Sequence, residues 1–403
     1  MSFPEVAEQL EIIKRGTVEI VPEEELIEKL KVSKAKNRPL RIKLGCDPTR
    51  PDLHLGHSVI LRKMRQFQDL GHHAILIIGD FTALIGDPTG QNKTRPSLTV
   101  DEINENAMTY LDQASKILDK EKTEIVYNSE WLDKMKFQDV IKLSSKMTVA
   151  RMLERDDFSK RYNAQEPISL HEFLYPLAQG QDSVFLKSDV ELGGTDQKFN
   201  LLVGRQLQKD SGMDQQVCLM MPLLVGTDGT QKMSKSYDNY IGIDETPEDM
   251  YGKVLSIPDE LIYTWYELLT DVKTSDLPEI AQKTKDDPRN TKHDLAYKIT
   301  ELYHGEDGAK AGRTHFEKTV VNKGIPEDLP EFSFESHSNH KIIDIIFDIG
   351  FSPSKGEARR LIKQGGVSID GEKVTDLNAE LLFNGKNEYI LKVGKRKFGK
   401  LVS

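Results

Sequence analysis

The sequence predicts an α/β protein: a doubly wound parallel-sheet domain, followed by an α-helical domain and a small α+β domain. Three observations carry this. Ala74-Ile75-Leu76-Ile77-Ile78 is an unbroken apolar run of strand length, the pattern of a strand buried on both faces. One helix length before it lies a second strand-like stretch, Arg41-Ile42-Lys43-Leu44-Gly45-Cys46, and strand, helix and strand in that order form a crossover unit. The charge also changes sign along the chain. Net charge is −10, yet residues 341–403 carry twelve Lys/Arg against eight Asp/Glu, leaving 43 against 57 for the rest, so a basic module is appended to an acidic body.

Composition excludes several classes. With 37% hydrophobic and 30% charged residues and no long apolar run, no membrane span is expected. Met1-Ser2-Phe3-Pro4-Glu5 lacks a basic stretch leading into an apolar one, so no secretory signal is read. The two cysteines, Cys46 and Cys218, have no C-x-x-C spacing. They point to a reducing compartment, the cytoplasm, and to neither a disulfide framework nor structural zinc.

In order, residues 1–38 read as an N-terminal helical region, with Val6, Leu10 and Ile13, then Leu26 and Leu30, at helical spacing and Pro22 before Glu23-Glu24-Glu25 as a helix start. The α/β domain occupies 39–240. Its first strand, 41–46, leads through a turn-rich segment at 47–52 into a helix over 55–70, stopped by Gly71. The strand at 74–79 follows, then helices over 100–118, 140–153, 171–179 and 195–208 and strands over 124–127 and 217–221. An all-helical domain, 241–323, carries start signals at Thr246-Pro247-Glu248 and Ser275-Asp276-Leu277-Pro278. Residues 324–340, rich in proline, acid and serine, read as a linker. In 341–403, Ile342, Ile346 and Ile349 line one helix ended by Gly350. Ser354 starts a second helix, on which Arg359, Arg360 and Lys363 face away from Ala358, Leu361 and Ile362. A strand, the tight turn Asp370-Gly371 and a strand come next. The tail 392–400 holds five cations and no acid.

No G-x-G-x-x-G follows the first strand and no G-x-x-x-x-G-K-[ST] occurs, so a nucleotide would be held by other means. Two stretches offer them. His54-Leu55-Gly56-His57 opens the first crossover helix, where the helix N-terminus is partly positive. Two imidazoles there can donate to phosphate oxygens, and Gly56 lets a flat base lie against the backbone. Lys232-Met233-Ser234-Lys235-Ser236, some 175 residues later and flanked by Gly226, Asp228, Gly229, Asn239 and Gly242, is a loop that can bring two ammonium groups and two hydroxyls to a polyphosphate. Each alone is a common surface pattern. Both together, in this order around an α/β unit, are not.

The pair resembles the signature of class I aminoacyl-tRNA synthetases, whose catalytic domain is HUP/Rossmann-like. Four further stretches resemble the bacterial tyrosyl-tRNA synthetases: Gly45-Cys46-Asp47-Pro48-Thr49, Gly86-Asp87-Pro88-Thr89-Gly90, the helix carrying Tyr175, Gln179 and Asp182, and Gly193-Gly194-Thr195-Asp196-Gln197. The last three helical positions, spaced four and three, share one face. The resemblance implies that Asp182 accepts the phenol hydroxyl of tyrosine, and that Tyr175, Gln179 and Asp87 hold its ammonium. It further implies Gln197 at the substrate carboxylate or a ribose, Asp196 at a ribose hydroxyl, and Gly193 and Gly56 against the adenosine. Asp47 and Thr49 would meet the ammonium or the polyphosphate, while Lys93 and Arg95 would contact pyrophosphate. His54, His57, Lys232 and Lys235 would stabilise the reacting phosphates, with Met233 and Ser234 beside them and Mg2+ bridging the phosphates of ATP. Lys43 stands where one bacterial branch has a tyrosine, and an ion pair with Asp182 that keeps the acid charged is expected from it.

Residues 341–403 resemble a small RNA-binding module shared with a ribosomal small-subunit protein, which makes Arg359, Arg360 and Lys363 phosphate contacts for tRNA(Tyr). Removal of everything after Ser338 is then expected to spare tyrosine activation and abolish tRNA charging. A homodimer is expected from the family. Two rivals remain at this point: a tryptophanyl synthetase, which needs a larger apolar pocket, and a catalytically silent RNA-binding protein on the same scaffold.

Overall fold

A computed structural model of the chain describes residues 3–48, 52–89, 99–318, 329–335, 338–383, 388–394 and 397–402. The chain forms two compact units, Met1–Arg313 and Thr314–Ser403.

The first unit is built on a six-stranded sheet of β1 (Glu19–Val21), β2 (Arg41–Cys46), β3 (His73–Ile78), β4 (Thr123–Tyr127), β5 (Val190–Gly194) and β6 (Val217–Met221), in the order β1-β6-β5-β2-β3-β4. β2 to β6 run parallel, and β1 lies antiparallel on β6. Helices α1 (Val6–Lys14) and α2 (Glu23–Lys36) flank β1, so the N-terminal region is not wholly helical as its periodicity predicts. Three residues are too few to show a period of two. A second strand, β5, is also absent from the sequence reading, because its apolar run is broken by Glu191 and ends in two glycines.

The predicted crossover is present: β2, then α3 (Leu55–Asp69), then β3. Leu55, Leu61, Met64 and Phe67 on α3 are fully buried, each contributing roughly 1.5–3 kcal/mol. The expected helix over 140–153 is instead two short ones, Phe137–Ser144 and Val149–Met152, because Thr148 caps a new start by accepting from Arg151 N at 3.1 Å. The other helices of this layer used below are α4 (Val100–Ala114), α5 (Leu174–Leu186) and α6 (Lys198–Asp210).

Beyond β6 come α7 (Pro247–Leu255), α8 (Ile262–Leu269), α9 (Leu277–Asp286) and a long segment, Pro288–Phe316, interrupted by Gly305 at φ 71°. α8 packs on α3. The Lys63 ammonium of α3 donates to the carbonyls of Ile12, Ile13 and Arg15 at 2.8–3.1 Å, closing the C-terminal end of α1. Arg15 in turn donates to the carbonyls of Tyr266, Glu267 and Thr270, at the end of α8. The N-terminal helix thereby ties the helical part to the helix that opens with HLGH.

In the second unit, two helices, Ile342–Asp348 and Lys355–Lys363, pack on a five-stranded sheet with a two-stranded one beside it. Ile342, Ile346, Ala358, Ile362, Leu391 and Leu401 make its core. Ser354 caps the second helix by accepting from Glu357 N, and Asp370 and Gly371, both at positive φ, form the predicted tight turn. Glu331–Ser333, read from sequence as linker, is a strand paired in parallel with Lys397–Val402.

Candidate active site

The strands run out from β2 through β3 to β4, and the chain then returns to place β5 on the other side of β2, followed by β6. The direction of winding reverses between β2 and β5, and in such sheets ligands bind beyond the carboxyl ends of the strands at that reversal. The residues singled out by sequence collect there. Asp47 follows β2, Asp87 lies in the segment after β3, Asp196 and Gln197 follow β5, and the KMSKS loop follows β6.

His54 is the N-cap of α3. Its Nδ1 accepts from Gly56 N at 3.1 Å, and His57 Nδ1 accepts from His54 N at 3.2 Å, which closes a reciprocal cap. An Nδ1 that accepts is unprotonated, so each neutral ring carries its hydrogen on Nε2 as a donor. Burial, the neighbouring ring and Lys235 push His54 down to about 2; burial and Lys235 push His57 down to about 4. Both are therefore neutral at physiological pH. A side chain at 56 would put its Cβ 2.8 Å from His54 Cε1, so the cap requires glycine.

That same Cβ would lie 3.5 Å from Met233 Cβ, so the HLGH turn and the KMSKS loop lie side by side. Two backbone bonds, Leu55 N to Ile241 O at 2.9 Å and Ile243 N to Leu53 O at 3.0 Å, fasten the segment after the loop to the start of α3. The loop's own shape hangs on buried Asn239. Its amide donates to Asp228 Oδ2 and to the carbonyls of Gln231 and Lys232, and it accepts from Ser234 N at 2.8 Å. Lys235 pairs with Asp52, and Lys232 lies 3.7 Å from Asp196.

On α5, Tyr175, Gln179 and Asp182 do share a face. Tyr175 donates to Asp47 Oδ2 at 2.8 Å, and the other Asp47 oxygen accepts from Thr82 at 2.7 Å. Gly79 makes room for this carboxylate: a Cβ there would sit 2.0 Å from Asp47 Oδ1. Asp182, 3% exposed, accepts from Trp131 Nε1 at 2.9 Å and from Asn128 Nδ2 at 3.4 Å. Burial pushes its pKa up to about 7 against the pull of Lys43.

The expected Lys43–Asp182 ion pair is not formed. Lys43 pairs with Glu191 at 3.0 Å and donates to Ser183 Oγ and Gln179 O. The register of the sheet explains this: Lys43 and Glu191 are direct cross-strand neighbours on β2 and β5. Gln179 donates to Glu191 at 3.1 Å, and Gln197 donates to Asp87 at 2.8 Å.

The family of class I tRNA synthetases (W and Y) matches residues 34–320, and that of the tyrosine–tRNA ligase SYY-like C-terminal domain matches 321–401. A tyrosine–tRNA ligase of Salinibacter ruber is 55% identical over 403 residues, covering 100% of this chain and 98% of its own length. One of Chlorobaculum tepidum is 57% identical over 401 residues with the same coverage. The chain belongs to the tyrosine–tRNA ligases of class I. A tyrosyl-tRNA synthetase from Archaeoglobus fulgidus, solved as a complex with L-tyrosine, shares the fold at TM-score 0.63 and 25% identity over 77% of this chain and 99% of its own.

Thr49, Lys93 and Arg95 lie outside the described residues. Gly193 lies at the end of β5, packed against Leu201. In the second unit Arg359, Arg360 and Lys363 are exposed on one helix, with Arg360 paired to Glu357 at 2.7 Å, while Lys400 is matched by Glu331 and Glu388. The sequence reading missed Asn128, Trp131, Arg155, Glu191 and Asn200. For Asn128 and Trp131 a signal existed, since they directly follow the strand predicted at 124–127, on the ligand side of the sheet. Glu191 had one too: an acid between Val190 and Leu192 in a strand-length run. Arg155 and Asn200 carry no local signal.

Proposed function

We propose that the chain joins tyrosine to tRNA(Tyr) in two steps at this site. The tyrosine carboxylate attacks the α-phosphorus of ATP, pyrophosphate leaves, and tyrosyl-AMP stays bound. The hydroxyl of the terminal ribose of the tRNA then attacks the activated carbonyl and releases AMP. The carboxylate is already an anion at neutral pH, so the first step needs no general base. It needs alignment and charge stabilisation at the leaving pyrophosphate.

The observation that carries this reading is that the HLGH turn and the KMSKS loop lie side by side beyond the strand ends, on a sheet whose neighbouring helix α5 carries the buried acid Asp182. His54 and His57 offer neutral Nε2–H donors, and Lys232 and Lys235 exchange their carboxylate partners for phosphate oxygens when ATP enters. Met233, Ser234, Gly56, Gly193, Asp196 and Asp47 line the nucleotide's path, with Thr49, Lys93 and Arg95 as further phosphate contacts. Asp182 accepts the phenol hydroxyl, with the charge of nearby Lys43 favouring its ionised form. Tyr175, Gln179, Asp87 and Gln197 face the ammonium and carboxylate. A carboxylate left unpaired disfavours phenylalanine, and this enzyme class is itself the standard illustration of that effect.

Among the described residues no cluster of three or more His, Cys, Asp or Glu side chains is arranged to hold a metal. In this reading Mg2+ belongs to the substrate, as MgATP, and bridges its phosphates. Residues 39–240 serve as the catalytic domain, 241–323 meet the anticodon stem, and Arg359, Arg360 and Lys363 hold tRNA phosphates. Large exposed apolar side chains at Phe137, Ile141, Val149 and Leu170 suit a homodimer interface. No described helix is long and apolar enough to cross a membrane, and the enzyme is assigned to the cytoplasm, where its tRNA is charged.

The test is ATP–pyrophosphate exchange with single amino acids. Tyrosine alone is expected to support exchange. Equal exchange with tryptophan overturns the assignment, and no exchange with any amino acid marks a silent scaffold.

A further inference from the structure

Two residues with no assigned part in the reaction stand behind the amide wall of the site. Arg155, on the segment before the short helix Asp156–Asn163, is 5% exposed, and Asn200, on α6, is 1% exposed. Arg155 Nη1 donates to Asn200 Oδ1 at 3.2 Å. The Asn200 amide then spends both its hydrogens, one on Gln179 Oε1 at 3.0 Å and one on Gln197 Oε1 at 2.9 Å. The two glutamines pass the direction on: Gln179 donates to Glu191 and Gln197 to Asp87. Arg155 also reaches Asp87 directly at 3.4 Å and bonds Thr89, which itself donates to Asp87 through both its backbone N–H and its hydroxyl.

A primary amide can present either end to a neighbour. Here it cannot, because the ends of the chain have one character each. A guanidinium only donates and a carboxylate only accepts, so the direction of every amide between them is fixed. Reversing Asn200 would set its NH2 against the guanidinium and its oxygen against two glutamine oxygens. In a buried network such a mismatch leaves several groups unsatisfied at once.

We infer that Arg155 and Asn200 are positioning residues for amino-acid recognition: by fixing the direction of the Gln179 and Gln197 amides and the place of Asp87, they present one defined set of partners to the ammonium and carboxylate of the substrate. The inference rests on the reading that Asp87, Gln179 and Gln197 face those groups. Neither residue touches the substrate. Their effect is on the binding of the amino-acid end, and the phenol end and the nucleotide lie outside the network.

The experiment measures dissociation constants of the full-length enzyme for tyrosine and for 4-ethylphenol, which keeps the phenol but lacks both ammonium and carboxylate, together with KM for ATP. Asn200→Asp keeps size and can still accept from Arg155, yet it cannot donate to either glutamine. It is expected to weaken tyrosine about tenfold or more, while 4-ethylphenol and KM for ATP change less than about threefold. Arg155→Lys should recover part of what Arg155→Met loses, and this pair reads the same ratio if Asn200→Asp does not fold. Equal weakening of tyrosine and 4-ethylphenol would reduce both residues to fold supports and overturn the inference. Asp87→Asn and Gln179→Ala are run alongside. If these leave tyrosine binding unchanged, the fault lies in the site reading; if they weaken it while the Asn200 and Arg155 variants do not, it lies in the inference.

Discussion

On the proposed reading substrate choice turns on Asp182, whose protonation is within reach of ordinary assay conditions. Burial raises its pKa from 3.8 to about 7, with Lys43, Trp131 and Asn128 pulling the other way. The sign follows directly. Below pH 7 the group is increasingly protonated and a poorer acceptor for a phenol, so tyrosine affinity falls as pH drops from 8 to 6 and levels off above 8. For stability the direction is opposite: the folded state holds an extra proton between about pH 4 and 7, so this contribution is full below pH 4 and is lost as pH rises through 7. Tyrosine dissociation constants measured by fluorescence across this range should show the slope in the wild type and none in Asp182→Asn, which should also bind more weakly. The same slope in the Asn variant would move the titration to another group. His54 and His57, lowered far below their ordinary range, should add no inflection near pH 6.5. The face carrying Tyr175, Gln179 and Asp182 was legible in sequence because helical spacing alone puts the three together. Glu191 as the partner of Lys43 was not, because the register of β2 against β5 joins residues almost 150 positions apart in the chain.

At the scale of elements, the KMSKS loop is a hairpin held open by one buried amide. Asn239 ties Asp228, Gln231, Lys232 and Ser234 together, and no other side chain bonds as many points of the loop among the described residues. Asn239→Ala leaves the Lys232 carbonyl and the Ser234 N–H without that partner, at about 1–3 kcal/mol each where they stay buried, while the Gln231 carbonyl keeps its bond from Gly226 N. The loop then samples more conformations, and the lysines are less often in place. The expected outcome in stopped-flow assays is adenylate formation slowed by about tenfold or more, with the tyrosine dissociation constant within about twofold. The β2–α3–β3 unit was readable because its apolar run, turn chemistry and helix stop agree with one another. β1 was not, since a three-residue edge strand has too little pattern. β5 was missed because its buried Glu191 breaks the apolar run and the glycines that end it look like a turn.

For the whole molecule, the two units and the two family matches divide the chain in nearly the same place, at 313 and 320. The sequence put the cut after Ser338, but Glu331–Ser333 belongs to the second sheet, so the sound place to divide the chain lies before it. A chain ending at Lys318 is expected to keep tyrosine-dependent pyrophosphate exchange within about threefold and to lose tRNA charging by about a hundredfold or more; normal charging would remove the tRNA role of the second unit. Everything else depends on HLGH and KMSKS closing on one triphosphate beside the tyrosine slot. The direct test is single-turnover kinetics of Lys235→Ala, with tyrosine binding and adenylate formation measured separately. The account predicts that adenylate formation slows by about a hundredfold or more while the tyrosine dissociation constant stays within about twofold. Equal losses in both, or no loss in the rate, would contradict it.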